Sequence, residues 1–319
     1  MLKAWLAGAL RRATSGAVIE KGTRGLSRLA RLHPAADPGR HGVEVTTDVV
    51  WRADGVGGSR VGLLDLYRPV RREARATVLY LHGGGFRILS KETHWAMALA
   101  FARKGFAVLV PNYRLAPRHP FPAAVIDACE VLGWTEDNAE RLGIPAGRLV
   151  LAGESAGANL VTALTIAACS RRPEPWARAV YDRAPRLVAS LPACGLLQVS
   201  DPGRFGQGGV VGERIQLISD AYLGAGGGSL DLCDVVVTLE REGAFERALP
   251  PTFIAVGSRD PILDDSVRLE RALLKRGVDA RLEVYRGGIH AFHALVWTQL
   301  ARRAWRDQHA FLDRVLGPG

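Results

Sequence analysis

Six short aliphatic runs recur along this chain: ATVLYL at 76–81, FAVLVP at 106–111, RLVLAG at 148–153, LVASLPA at 187–193, TFIAVG at 252–257 and ARLEVY at 280–285. Most are separated by a stretch with helical periodicity. Runs that do not alternate with polar residues read as strands buried on both faces, and strands alternating with helices pack as a parallel sheet flanked by helices. Upstream, VEVTTDVVW at 43–51 and RVGLLDLYRP at 60–69 enclose a glycine-rich turn at 55–58 and read as a hairpin. The expected core is an α/β fold with eight strands, mostly parallel. A chain of 319 residues, 48% of them hydrophobic, is long enough to bury one such core with an added cap.

Two segments depart from this rhythm. Leu2, Trp5, Leu6, Ala9 and Leu10, and then Leu26, Leu29 and Leu32, fall at helical spacing, which predicts two amphipathic helices before the linker HPAADPGRHG at 33–42. Between Gly195 and Leu249 the alternation lapses into a polar, glycine-rich stretch too long for a structureless loop, so a lid with helices of its own is expected there. The division read from these breaks is N-terminal cap helices at 1–40, a core at 41–197 and 249–319, and an inserted cap segment at 198–248.

The formal charge of +10 comes mostly from arginines scattered along the whole length. Scattered charge reads as a solvated coat, and no basic run interleaved with aromatics suggests nucleic acid. Cys129, Cys169, Cys194 and Cys233 are widely spaced with no C-x-x-C pair, which reads as buried free thiols in a reducing compartment. The apolar run at 4–10 has only Lys3 before it and is followed by Arg11 and Arg12, a poor export signal, so a cytoplasmic protein is expected. Trp5 with Lys3, Arg11 and Arg12 is compatible with a helix lying on a membrane surface; a helix folded over the body of the protein is the favoured reading. A homodimer is left open.

LAGESAGANL at 151–160 places Ser155 between Gly153 and Gly157 at the junction of an apolar run and a helical stretch. G-x-S-x-G in that context is the signature of a nucleophile raised on a strained turn; the competing reading is a tight connection without chemistry. LYLHGGGF at 79–86 ends a strand in three glycines whose N–H groups can converge on a developing negative charge, with Ala156 N–H adding a donor at a helix start. His82 reads as a loop organiser. Downstream, Asp260 and His290 each follow an aliphatic run, in the order serine, acid, histidine expected on such a sheet. Asp264 and Asp265 are rivals for the acid but fall where a helix begins. His293, three residues after His290, lacks a third ligand for a metal site. Tyr113 and Arg114 read as locks beneath the glycine loop rather than as substrate contacts. His94, Trp95 and Met97 are pocket wall or ordinary core.

HGGGF at 82–86, NYRLAPRHPFPAA at 112–124, GESAGANL at 153–160, RDPILDD at 259–265 and IHAF at 289–292 together resemble the hormone-sensitive-lipase-like branch of the α/β-hydrolases, the bacterial family IV carboxylesterases. The resemblance runs from about residue 40 to the C-terminus. It implies an α/β-hydrolase fold with a helical cap, Ser155 as nucleophile, Asp260 as acid, His290 as base and an oxyanion hole from the backbone of Gly84, Gly85 and Ala156. It implies a small ester substrate of short to medium acyl length, with no metal or organic cofactor. Phe86 and Glu154 are candidate pocket residues, and Glu154 stands where many members of the family carry aspartate. An amidase or lactone hydrolase would use the same residues, and a non-catalytic receptor on the same scaffold is the alternative from another class.

Overall fold

The computed structural model describes residues 20–53, 60–206, 209–225, 229–241 and 243–317. The hairpin forms β1 (Val43–Val50) and β2 (Leu63–Pro69). The six aliphatic runs form β3 (Thr77–Leu81), β4 (Ala107–Pro111), β5 (Leu149–Glu154), β6 (Leu187–Ala193), β7 (Thr252–Gly257) and β8 (Ala280–Tyr285). They lie in one sheet in the order β1-β2-β4-β3-β5-β6-β7-β8. The β1–β2 and β2–β4 pairs are antiparallel and every other pair is parallel.

Ten helices surround this sheet among the described residues: α1 (described over 20–30), α2 (Trp95–Ala102), α3 (Ala123–Asp137), α4 (Ala139–Leu142), α5 (Ala156–Cys169), α6 (Pro175–Arg183), α7 (Gly209–Leu223), α8 (Val235–Glu240), α9 (Leu263–Lys275) and α10 (Gln299–Leu316). Successive side chains of β3 feed opposite cores. Val78 and Tyr80 pack with Phe101 of α2 and Trp305 and Phe311 of α10, whereas Leu79 and Leu81 pack with Val125 of α3 and Leu160 and Leu164 of α5. Burial on both faces is why β3, β4, β5 and β7 appear in sequence as continuous apolar runs. Helix α5 is buried along its whole length, so its polar groups must be satisfied internally. Asn159 Nδ2 donates to the carbonyls of Leu196 (2.9 Å) and Cys233 (2.7 Å), and the Thr162 and Thr165 hydroxyls donate one turn back along the helix.

The stretch between β6 and β7 carries α7 and α8, in agreement with helices of its own in that segment. Two buried aspartates hold its roots. Asp265 accepts from the backbone N–H of Leu197 (2.7 Å) and pairs with Arg204, and Asp234 accepts from the N–H groups of Val199 (2.7 Å) and Ser200 (3.0 Å).

The N-terminal region departs from expectation. The apolar patch at 2–10 lies outside the described residues. Helix α1 forms, yet Leu26, Leu29 and Leu32 are 63%, 67% and 79% exposed. The face turned to the body is polar: Ser27 Oγ donates to the Glu92 carbonyl (3.0 Å) and accepts from Trp95 Nε1 (2.9 Å), and Arg31 also reaches Glu92 O (3.3 Å). Hydrogen bonds to the segment before α2, rather than leucine burial, seat this helix. All four cysteines are buried free thiols. Among the described residues no helix is long and apolar enough to cross a membrane.

Candidate active site

Strand β5 runs into α5 with one residue between them, Ser155, whose backbone is forced to φ 55°, ψ −117°. Such a conformation costs a side-chain-bearing residue about 1–3 kcal/mol and persists only where the surroundings over-determine it. Here they do. Ser155 N–H donates to Ala193 O (3.0 Å), and its carbonyl accepts from Asn159 (3.2 Å) and Leu196 (3.3 Å). The turn is this tight because position 157 has no side chain: a Cβ on Gly157 would lie 1.9 Å from the carbonyl oxygen of Leu81 on β3.

The structure brings Ser155, His290 and Asp260 together from three separate loops. His290 Nε2 lies 3.0 Å from Ser155 Oγ, and Nδ1 lies 2.9 and 3.1 Å from the two carboxylate oxygens of Asp260. Nδ1 faces only carboxylate oxygens of this pair, so it carries the ring proton and leaves Nε2 free to accept one. Asp260 is buried and its Oδ1 also accepts from Ile262 N–H (3.0 Å), which fixes the plane against which the imidazole aligns. The rivals are placed elsewhere. Asp264 and Asp265 occupy the first turn of α9, with Asp265 committed to Arg204 and the backbone of 197–198.

Opposite the serine, residues 82–88 fold into a compact loop in which the Gly84 carbonyl accepts from Arg87 and Ile88 N–H (both 3.1 Å). Gly84 takes φ 118°, and a Cβ there would meet Ile88 O at 2.0 Å, so only glycine is admitted. The N–H groups of Gly84 and Gly85 enter no backbone hydrogen bond among the described residues, and that of Ala156 is the first of α5. Tyr113 sits where the locking role requires, whereas Arg114 is bound to α3 and not to the glycine loop. The Tyr113 hydroxyl donates to His82 O (2.7 Å), its ring stacks on His82 with centroids 4.2 Å apart, and Arg114 is tied to the buried Asp127 of α3. His82 itself donates from Nδ1 to Gly83 O (2.8 Å). Burial first, and then the neighbouring His94, hold its pKa down at about 3, so it is a neutral organiser of the loop.

Two pocket assignments are corrected by burial. Phe86 is fully enclosed, its ring lying flat on Tyr222 of α7 at a centroid distance of 3.7 Å, so it belongs to the seam between loop and α7. Glu154 is 3% exposed and turns beneath the loop, away from any open surface. Its Oε1 accepts from Gly83 N–H (2.6 Å) and from His94 Nε2 (2.7 Å), and its Oε2 accepts from the Tyr80 hydroxyl. His94 is thus a site residue that sequence reasoning left undecided between wall and core. Nothing local marks it, because its partner is sixty positions away at the end of β5.

Cys194, Asp260 and His290 are the group of ligand-type side chains among the described residues compact enough to hold a metal, with ligand atoms within 4.8 Å of one another. Asp260 and His290 are already engaged with each other, and burial pushes the Cys194 thiol well above its ordinary range, which keeps it protonated and a poor ligand. His293 is buried beside Phe292 and Trp305 and does not pair with His290.

Residues 78–294 match the family described as alpha/beta hydrolase fold. Among curated proteins the chain is similar to the carboxylesterase NlhH of Mycobacterium tuberculosis, 30% identical over 242 residues that cover 72% of each chain. It is 32% identical to an acetyl-hydrolase of Streptomyces hygroscopicus over 268 residues, 79% of this chain and 80% of that one. Among solved structures it is similar to the esterase LipW from Mycobacterium marinum, with a TM-score of 0.76 and 30% identity over 94% of this chain and 90% of that one.

Proposed function

Because the chain belongs to the alpha/beta hydrolase fold family, in its hormone-sensitive-lipase-like branch, and is a carboxylic ester hydrolase, we propose that it works as a serine esterase through an acyl-enzyme. One observation carries the reading: Ser155, on a strained elbow, lies 3.0 Å from the free nitrogen of an imidazole whose other nitrogen is held by a buried carboxylate. His290 Nε2 takes the proton from Ser155 Oγ as the oxygen attacks the ester carbonyl. The charge that develops on the carbonyl oxygen is met by the N–H groups of Gly84, Gly85 and Ala156. The imidazolium, steadied by Asp260, then gives its proton to the departing alcohol. Water follows the same route in reverse, losing a proton to Nε2 as it attacks the acyl carbon and releasing Ser155 with the free acid.

Short to medium acyl chains are the proposed substrates, and the segment 198–248 is the cap that limits them. Ile218 of α7 leans on the oxyanion loop so closely that a Cβ on Gly85 would lie 2.8 Å from its Cδ1, and Phe86 and Tyr222 close the neighbouring space. A fluorophosphonate probe should label Ser155 stoichiometrically and fail on Ser155→Ala. Across p-nitrophenyl esters from acetate to palmitate, kcat/KM should peak at or below octanoate. Intact protein that refuses the probe would overturn the catalytic reading, and a palmitate optimum would overturn the size limit alone.

A further inference from the structure

Beneath the oxyanion loop lies a buried charged group that the reaction does not touch. Glu154 ends β5 immediately before the nucleophile, and Gly83 stands immediately before the oxyanion glycines; a single carboxylate oxygen, Glu154 Oε1, accepts from Gly83 N–H at 2.6 Å. The same oxygen accepts from His94 Nε2 at 2.7 Å, at the start of α2. His94 Nδ1 in turn lies 2.9 Å from the carbonyl of Ser90 and 2.9 Å from Thr93 Oγ1, which spends its own proton on Ser90 O (2.7 Å). Both ring nitrogens therefore face acceptors, and only the imidazolium has a proton for each.

We propose that the buried Glu154–His94 ion pair is a positioning device that fixes the oxyanion glycines against Ser155, and that loss of the His94 proton as pH rises loosens it and lowers kcat. This inference rests on the serine-esterase reading. A carboxylate that receives both the loop N–H and a cation sets the distance between nucleophile and donors through short charge-assisted bonds. The cation also cancels a negative charge that would otherwise sit behind the forming oxyanion.

The groups facing the pair come from every element around it. Tyr80 on β3 donates to Glu154, Tyr113 after β4 feels the same charge, His82 stacks on His94 with centroids 5.3 Å apart, and His293 and Cys194 approach from the segments after β8 and β6. Glu154 is the one carboxylate among them. Burial raises the Glu154 carboxyl, but the His94 charge and its hydrogen bond, then His293 and Tyr80, overcome it and hold the group at about 2. Burial lowers His94, but the charge and hydrogen bond of Glu154 and the Ser90 carbonyl raise it above its ordinary value. The pair is therefore present below the raised histidine value and is lost as pH rises through it.

The test compares kcat, KM and pH profiles of the wild type with Glu154→Gln, Glu154→Asp and His94→Gln, alongside the ring-nitrogen NMR signals of histidine-labelled wild type. Glu154→Gln should lose about 10- to 100-fold in kcat with KM within about threefold, because the donors act on charge present only in the transition state. Glu154→Asp, which keeps the charge, should recover part of that loss. The alkaline limb of kcat should coincide with the titration of His94 in the wild type and disappear from His94→Gln. An unchanged kcat in Glu154→Gln, a loss confined to KM, or a neutral His94 at pH 7 would overturn the proposal. The NMR result decides even if a variant does not fold. Failure of the wild type to take the fluorophosphonate would instead sink the esterase reading, so the two failures are distinguishable.

Discussion

The shelf that carries Ser155 and the glycine loop is held differently from the inserted segment facing it. On the shelf, position is set by backbone contacts that admit no side chain, at Gly157 and Gly84, and by the buried hydrogen bonds that Glu154 accepts from Tyr80, Gly83 and His94. The insertion is gripped at its roots by Asp265 and Asp234 and by one backbone bond from Phe121 N–H to Tyr222 O (2.6 Å), while α7 meets the shelf through the side chains of Ile218 on Gly85 and Tyr222 on Phe86. Val210 near the start of α7 is 83% exposed. The contrast teaches that the placement of the reacting atoms and the shape of the space for substrate are governed by separate forces. Backbone sterics and desolvated hydrogen bonds govern the first, and replaceable side-chain packing governs the second.

Substitutions can break or sharpen this contrast. The largest effect should come from Ser155→Ala, with p-nitrophenyl acetate turnover reduced by at least about 10⁴-fold and the urea midpoint nearly unchanged. Next, Gly157→Ala drives a methyl into the Leu81 carbonyl and should cost about 3 kcal/mol in equilibrium unfolding, with loss of activity in whatever remains folded. Asp265→Asn leaves the Arg204 charge short of its partner and should cost about 2 kcal/mol, yet it should leave acetate hydrolysis within a few-fold of wild type, because only the root of the insertion is disturbed. If acetate turnover collapsed instead, the separation of shelf and insertion would be wrong. Ile218→Ala should raise kcat/KM for octanoate relative to acetate by about tenfold with little change in stability.

The smallest effect concerns pH. His309, in α10 against Phe101 and Trp305, is held down at about 4, by burial first and then by Lys104 and Arg103. The unfolded chain binds this proton first as pH falls below about 6.5, so the native state loses stability from there toward the folded value. Urea unfolding at pH 7 and 5.5 should therefore show His309→Gln losing about 1 kcal/mol less than wild type over that interval. An identical pH slope would show that this histidine is not held neutral.

Much of the fold is legible in local pattern. Each of the six aliphatic runs becomes a strand; in β3 to β7 burial on both faces leaves few polar positions to interrupt them, whereas β8 lies at the sheet edge and admits Arg281 and Glu283. Ser155 is legible too, since a strained turn between strand and helix needs small neighbours at fixed offsets. Less was visible where contacts rather than periodicity decide. The leucines of α1 keep helical spacing yet face outward, because Ser27 and Arg31 find hydrogen-bond partners on the opposite side. Glu154 reads as a pocket residue until its carboxylate is seen beneath the loop.

By itself, then, the sequence determined the succession of strands and helices, the turn that raises the serine, and the order in which nucleophile, acid and base arrive along the chain. These depend on backbone preference and on burial repeated at short range. Only the tertiary structure decided that β3 lies beside β5 although β4 intervenes in sequence, and so that Tyr80 and Gly83 meet Glu154 at the ends of those two strands. Which ionisable groups share a desolvated site follows from strand adjacency, and Coulomb forces at close range in a water-poor interior depend on that adjacency rather than on separation along the chain.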